Sequence, residues 1–89
     1  MIQDFTVLNK AGMHVRPAGA LAKLCQRFQS TITVSKDGFE VSGKSVLGLL
    51  TLEAPCGTRL TVNAEGPDAE EALDAIGELF ANRFGLLDD

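Results

Sequence analysis

The sequence contains neither tryptophan nor tyrosine, and it has one histidine and two cysteines in 89 residues. No stretch approaches the ~18 continuous apolar residues of a membrane-spanning helix, so no membrane insertion is expected. The first residues lack a basic region followed by an apolar one, so we expect a cytoplasmic protein without a secretory signal. Cys25 and Cys56 form no CxxC pair and have no histidine nearby. Free thiols are therefore expected, and neither a metal nor another cofactor is indicated.

The composition is that of an ordinary folded domain. Apolar residues make up 45% and charged residues 22% of the chain, which argues against disorder and predicts one domain over residues 1–89. Residues 1–44 carry six bases and three acids, whereas residues 45–89 carry two bases and nine acids. A mildly basic half suits a phosphate or an acidic partner. It is too weakly basic for nucleic-acid binding, which is not expected.

The hydrophobic pattern predicts the element order β-α-β-β-α-β-α. Alternating or strand-forming residues indicate the strands, Asp37-Gly38 indicates a hairpin, and Ser45 is the expected N-cap of a short helix. Each longer helix has a single apolar stripe that needs a sheet to cover it. We therefore predict an α+β fold with a four-stranded, mostly antiparallel sheet and helices on one face. The predicted strands are 2–8, 31–36, 39–42 and 58–65, and the predicted helices are 15–28, 46–52 and a last one between Pro67 and Gly85. The apolar run 46–52 also fits a strand, and the N-cap at Ser45 favours the helix.

The last helix is predicted to continue its apolar stripe as far as Phe84. Its first turn is acidic, and we expect Asp68, Glu70 and Glu71 to complement the positive end of the helix dipole. In the short helix, Leu49 and Leu52 are expected in the core.

The single histidine lies where the first helix is predicted to begin, in the segment Gly12-Met13-His14-Val15-Arg16-Pro17-Ala18. First-turn N–H groups of a helix have no partner in the helix, and they favour a bound anion. Arg16 adds forked donors for phosphate oxygens, and an imidazole offers a nucleophilic nitrogen near neutral pH. The segment thus indicates a site that accepts a phosphoryl group and hands it on. The alternative is that His14 only caps the helix or lies at the surface.

This segment resembles the active-site motif Gly-[Leu/Ile/Met]-His-[Ala/Thr]-Arg-Pro-Ala of the histidine-containing phosphocarrier (HPr) family of the bacterial phosphotransferase system. Val15 is bulkier than the usual Ala or Thr. Two further segments resemble family motifs in the same order, and together the three cover nearly the whole chain. They are Lys44-Ser45-Val46-Leu47-Gly48-Leu49 and Leu60-Thr61-Val62-Asn63-Ala64-Glu65-Gly66. The resemblance implies an open-faced β-sandwich with the element order given above.

The resemblance also implies roles for individual residues. His14 would take a phosphoryl group at Nδ1 from phosphorylated enzyme I, with Arg16 stabilising the phosphate, and pass it to an enzyme IIA-type acceptor for sugar uptake. Such a protein is a monomeric carrier rather than a stand-alone enzyme. Ser45 matches the serine that an HPr kinase phosphorylates in part of the family, although it is alternatively only an N-cap. The implied partner-binding face consists of Val15, Gly19, Lys23, Val46, Leu47 and Leu50.

Two questions stay open at the level of sequence. The segment from Asn9 to His14, and the closing Leu79 to Phe84 with its acidic tail, are similar to the nitrogen-related (NPr) branch of the family. The helix after Lys44-Ser45 is instead similar to the carbohydrate branch. Competing hypotheses are a regulatory binding module that is read through Ser45, and a stand-alone enzyme, for which the sequence offers no second catalytic group.

Overall fold

A computed structural model describes residues 1–86 of the chain, so the acidic tail lies outside the described residues. Four strands and three helices follow one another in the predicted order. None of the described helices is long and apolar enough to cross a membrane. The elements are β1 (Ile2–Thr6), α1 (Val15–Cys25), β2 (Thr31–Lys36), β3 (Phe39–Ser42), α2 (Val46–Leu50), β4 (Arg59–Glu65) and α3 (Ala69–Ala81), followed by a 3-10 turn (Arg83–Gly85).

The strands form one sheet in the order β1-β4-β2-β3, with every neighbouring pair antiparallel. The hairpin at Asp37-Gly38 joins β2 and β3, and Val34 of β2 lies opposite both Val41 of β3 and Val62 of β4. The predicted four-stranded sheet is therefore confirmed, and it is antiparallel throughout. The helices lie on one face of it, as an open-faced sandwich requires.

The core lies between the sheet and the helices, where the apolar faces of the strands pack against the apolar stripes of the helices. One side of β4 is buried, and Phe80 of α3 stacks on Phe5 of β1 with ring centroids 5.3 Å apart. Burial of these apolar side chains is the main favourable contribution to folding. The fully buried large apolar side chains include Val7, Leu21, Ile32, Val34, Leu49, Leu60, Val62 and Ile76.

Five predicted elements are shorter than the pattern indicates. β1 ends at Thr6, α1 ends at Cys25 instead of residue 28, and α3 ends at Ala81. The short helix α2 ends at Leu50 instead of residue 52, and β4 begins at Arg59 instead of residue 58. Phe84 lies in the 3-10 turn at a positive φ of 59°, yet it is buried and packs on Phe80 with centroids 4.9 Å apart. The apolar stripe therefore continues past the end of the helix, because burial does not require helical backbone.

Asp68 lies at the start of α3, where its charge was expected, and its carboxylate also binds a neighbouring turn. It is the N-cap residue of α3, but its side chain makes no capping hydrogen bond. The carboxylate instead accepts hydrogen bonds from the backbone N–H groups of Gln29 and Ser30, each 2.9 Å long, and from the Ser30 hydroxyl. These bonds hold the turn that leads into β2 against the start of α3.

Candidate functional site

The segment before His14 is held by backbone contacts with the loop that follows α2. The Met13 N–H donates to the Ala54 carbonyl oxygen at 2.8 Å, and the Met13 side chain is buried. Gly12 has φ +78°, and a Cβ on it would lie 2.6 Å from the Ala54 oxygen and 2.8 Å from Pro55 Cα. Glycine is therefore required at position 12 by conformation and by space together.

The buried side chain of Asn9 holds the loop before α1 by hydrogen bonding. Its side chain is fully buried, and its Nδ2 donates to the Gly12 carbonyl oxygen at 2.6 Å, while the Gly12 N–H donates back to the Asn9 carbonyl at 3.1 Å. The same Gly12 oxygen accepts from the His14 N–H at 3.0 Å. Two donors on one carbonyl fix the direction in which the chain enters α1.

His14 is the N-cap residue of α1 and is half-buried. Its backbone is extended, with φ −103° and ψ −168°, and its carbonyl accepts the first helical hydrogen bond, from the Ala18 N–H at 2.9 Å. The prediction that His14 lies at a helix start is therefore confirmed. The imidazole is attached at the positive end of the helix dipole, where a negative group is stabilised.

The first turn of α1 offers a small set of donors. Pro17, in the third helical position, has no N–H and is buried, so the amides of Val15 and Arg16 are the ones left for an anion. The Val15 and Arg16 side chains are both exposed. The Arg16 guanidinium thus lies at the protein surface, two residues from the imidazole, and suits phosphate oxygens.

Ser45 begins α2 as predicted. It is the N-cap residue, and its Oγ accepts a hydrogen bond from the Gly48 N–H at 3.0 Å. Helices α1 and α2 pack side by side, so the Ser45 end of α2 and the helix that begins at His14 lie on the same side of the sheet.

The residues of the expected partner-binding face differ in exposure. Leu47 is 78% exposed and Val15 is 64% exposed, whereas Val46 and Leu50 are half-buried and pack on the core. Lys23 is exposed on the last turn of α1. The apolar part of this face therefore consists mainly of Val15 and Leu47.

Two further predictions concern residues near this face. Gly19 is half-buried, and a Cβ on it would meet no atom within 4 Å. Leu49 and Leu52 are in the core as predicted.

The two cysteines are free thiols in different surroundings. Cys25 is buried on α1, and burial raises the pKa of its thiol to about 11, although the nearby Lys44 ammonium opposes the shift. Cys56 is exposed in the loop after α2, and its thiol lies 3.6 Å from the Leu8 carbonyl oxygen. A buried thiol with a raised pKa is a packing residue rather than a nucleophile.

Two groups that shape this site carry no sequence signal strong enough to identify them. The spacing of Asn9 and Gly12 is typical of a turn, with Asn at its first and Gly at its last position, but it does not indicate that the Asn9 side chain is buried. Ala54 contributes a backbone carbonyl, which any residue would provide. Its role depends on the approach of two loops that are far apart in the chain.

Comparison with known proteins gives the same family from sequence and from structure. A family model described as PTS HPr component phosphorylation site matches residues 2–82. The chain is 41% identical over 83 residues to phosphocarrier protein HPr of Cupriavidus necator, covering 93% of each chain. It is 40% identical over 79 residues to phosphocarrier protein NPr of Proteus mirabilis, covering 88% of each chain. The fold is similar to the crystal structure of HPr-C-His from Thermoanaerobacter tengcongensis, with a TM-score of 0.93, 34% identity and 98% of each chain covered.

Proposed function

Because this chain belongs to the HPr family of phosphotransferase-system phosphocarriers, we propose that it accepts a phosphoryl group on the imidazole of His14 and passes it to another protein. The observation that carries the proposal is the place of His14 as N-cap residue of α1, with Arg16 exposed on the first turn. Helix-start amides and a guanidinium together complement a phosphoryl dianion.

The proposed step is a displacement at phosphorus. The Nδ1 lone pair of His14 forms a bond to phosphorus, while the bond from phosphorus to the donor breaks and its electron pair stays on the donor group. The Val15 and Arg16 amides and the Arg16 guanidinium stabilise the oxygens as charge shifts among them. Onward transfer reverses these roles, with His14 as the leaving group.

Phosphorylated enzyme I, which draws on phosphoenolpyruvate, is the proposed donor, and an enzyme IIA-type protein is the proposed acceptor. Val15, next to His14 in the chain, and Leu47, on the helix that packs against α1, are both exposed and supply apolar docking contacts, and Lys23 supplies positive charge. We propose that the protein works in the cytoplasm as a monomeric carrier and requires these partner proteins for turnover.

Mass spectrometry tests the carrier role directly. Incubation with enzyme I and phosphoenolpyruvate should add one phosphoryl group that is labile in acid and stable in base, as expected of a phosphohistidine. The His14→Ala variant should gain no label while keeping the circular dichroism spectrum of the parent. Labelling of the His14→Ala variant would refute the proposal.

The sequence identity to the HPr and NPr relatives named above is nearly equal, at 41% and 40%. An experiment is therefore needed to distinguish a role in sugar uptake from a nitrogen-related role. We propose the carbohydrate branch, because the sequence of Lys44-Ser45 and of the helix that follows resembles that branch of the family. Transfer rates from the enzyme I of each branch, measured side by side with the same preparation, test this choice. Faster labelling by the nitrogen-branch enzyme would reverse the assignment.

Regulation through Ser45 is a second proposed function, favoured by its capping geometry. A phosphate on Oγ would replace the acceptor of the Gly48 N–H with a dianion at a helix start, where it is stabilised, and would repel a second phosphorylated protein. An HPr kinase is the proposed modifying partner. Ser45→Asp should weaken binding of enzyme I, whereas Ser45→Asn, which caps equally well without charge, should not. Equal affinities for the two variants would contradict this regulation.

A further inference from the structure

We propose that Lys36 is a positioning residue for His14, which it influences from the far end of β2 through the loop after α2. This inference rests on the proposed carrier function. It concerns a side chain outside the three segments that resemble family motifs. The contacts that support it run from the Lys36 ammonium group to the Met13 amide, one residue before the phosphoryl acceptor.

The first contact is between Lys36 and the turn that follows α2. The Nζ of Lys36 donates to the carbonyl oxygens of Leu52 at 3.1 Å and of Glu53 at 2.8 Å. Both carbonyls lie beyond Leu50, the last residue of α2, and hydrogen bonds from a charged donor are stronger than those between neutral groups. Lys36 therefore binds a specific turn and is more than a solvated surface charge.

The turn that Lys36 holds is strained. Glu53 has φ +49°, in the left-handed region that side chains other than glycine rarely adopt. Such a conformation persists only where surrounding contacts enforce it. The two hydrogen bonds from Lys36 fall on the Glu53 carbonyl and the one before it, so they are placed to enforce this conformation.

The strained turn leads directly into the contact with the His14 segment. The next residue, Ala54, supplies the carbonyl that accepts the Met13 N–H at 2.8 Å. The same carbonyl is the atom against which Gly12 packs so closely that no Cβ fits. A shift of the turn after α2 therefore moves the acceptor of the Met13 amide, and with it the approach of His14 to α1.

Three variants test this assignment. Lys36→Met removes the donor and keeps the aliphatic stem, and Lys36→Arg restores a donor. Lys44→Met is the matched control, because it also removes a lysine that donates to a backbone carbonyl, that of Phe28 at 2.9 Å. Each variant is measured by hydrogen exchange of the Met13 amide, expressed relative to the amide of Leu60 in the central strand β4, which reports any change in global stability.

In Lys36→Met we expect exchange at Met13 to accelerate by about tenfold relative to Leu60, the effect of losing hydrogen bonds from a charged donor. Lys36→Arg should restore most of the protection, and Lys44→Met should leave the Met13 to Leu60 ratio unchanged. Unchanged relative protection in Lys36→Met, or an equal loss in Lys44→Met, would overturn the assignment.

Phosphoryl transfer from enzyme I supplies the second readout. Lys36 is outside the proposed docking face, so Lys36→Met should lower kcat for labelling of His14 by about tenfold through misplacement of the acceptor, with little change in KM. A rise in KM with kcat unchanged would contradict a positioning role. If the parent protein is not labelled at all, the carrier function fails, and the exchange measurements still decide whether Lys36 holds the Met13 segment.

Discussion

Replacement of Gly12 by alanine is expected to destabilise the protein and to disturb the His14 site. The added methyl group places a side chain at φ +78°, which costs about 1–2 kcal/mol for an L-residue. It also overlaps the Ala54 carbonyl oxygen at 2.6 Å, and relief of such overpacking costs about 1–3 kcal/mol. The free energy of unfolding should therefore fall by about 2–5 kcal/mol, a large part of the stability of a small domain.

Two further glycine variants separate the conformational and the steric contributions. Gly57 also has a positive φ, +92°, but a Cβ there meets no atom within 4 Å, so Gly57→Ala should lose only the conformational share, about 1–2 kcal/mol. Gly19 is in the interior of α1 with open space around it. Gly19→Ala should stabilise the protein by up to about 1 kcal/mol because alanine is the better helix former.

Urea unfolding followed by circular dichroism gives all three values, and thermal midpoints check them, since about 4–8 °C corresponds to each kcal/mol in a domain of this size. The order of stability should be Gly19→Ala, parent, Gly57→Ala and Gly12→Ala, from highest to lowest. If Gly12→Ala is no less stable than Gly57→Ala, the close approach to Ala54 imposes no constraint and the account of the His14 loop is wrong.

Two predictions concern ionisable groups away from His14. Hydrogen bonds from the Ser30 hydroxyl and then from the Gln29 amide hold the pKa of the Asp68 carboxyl below its usual range. The stability that these hydrogen bonds provide is therefore present above the unfolded-state pKa of Asp68. It is lost as the pH falls through the lowered folded-state pKa. In urea titrations the parent should exceed Asp68→Asn in stability at pH 7, and the gap should close toward pH 2; a gap that does not vary with pH would contradict this. The burial of Cys25 and the raised pKa of its thiol predict that a thiol reagent at pH 8 labels only Cys56 in the folded protein. In urea the same reagent should label both cysteines. Rapid labelling of both cysteines in the folded state would show that the core opens.

The elements that could be predicted from the sequence are those set by local pattern. The strands at 31–36 and 39–42 have the expected bounds, because alternation and the Asp37-Gly38 turn specify them together. The predicted end of α1 at residue 28 is wrong. The apolar stripe continues to Phe28, but the helix ends at Cys25 and the chain turns there. That turn is held by Lys44, which donates to the Phe28 carbonyl, and by Asp68. Both contacts come from distant parts of the chain, and a local period cannot reveal them.

The same division applies to the candidate site. His14 and Arg16 were identifiable because a helix start, an imidazole and a guanidinium have a chemistry that sequence position alone suggests. The support for that helix start was not identifiable. It consists of the buried Asn9 amide and the Ala54 carbonyl, and its geometry exists only once the loop after α2 lies against the loop before α1.

The donor set around His14 suits transfer of a phosphoryl group better than its retention. Pro17 removes one amide from the first turn of α1, and the Ala18 amide is already bonded to the His14 carbonyl. The Arg16 guanidinium is exposed, and exposed charge pairs contribute only about 0–1 kcal/mol. A stronger hold in the free protein would stabilise the phosphorylated ground state more than the transition state, and would therefore slow the proposed onward transfer. In the proposed complex with a partner that covers this surface and excludes water, the Arg16 guanidinium would interact more strongly with the phosphoryl oxygens. The stabilisation would then be greatest where transfer is proposed to take place.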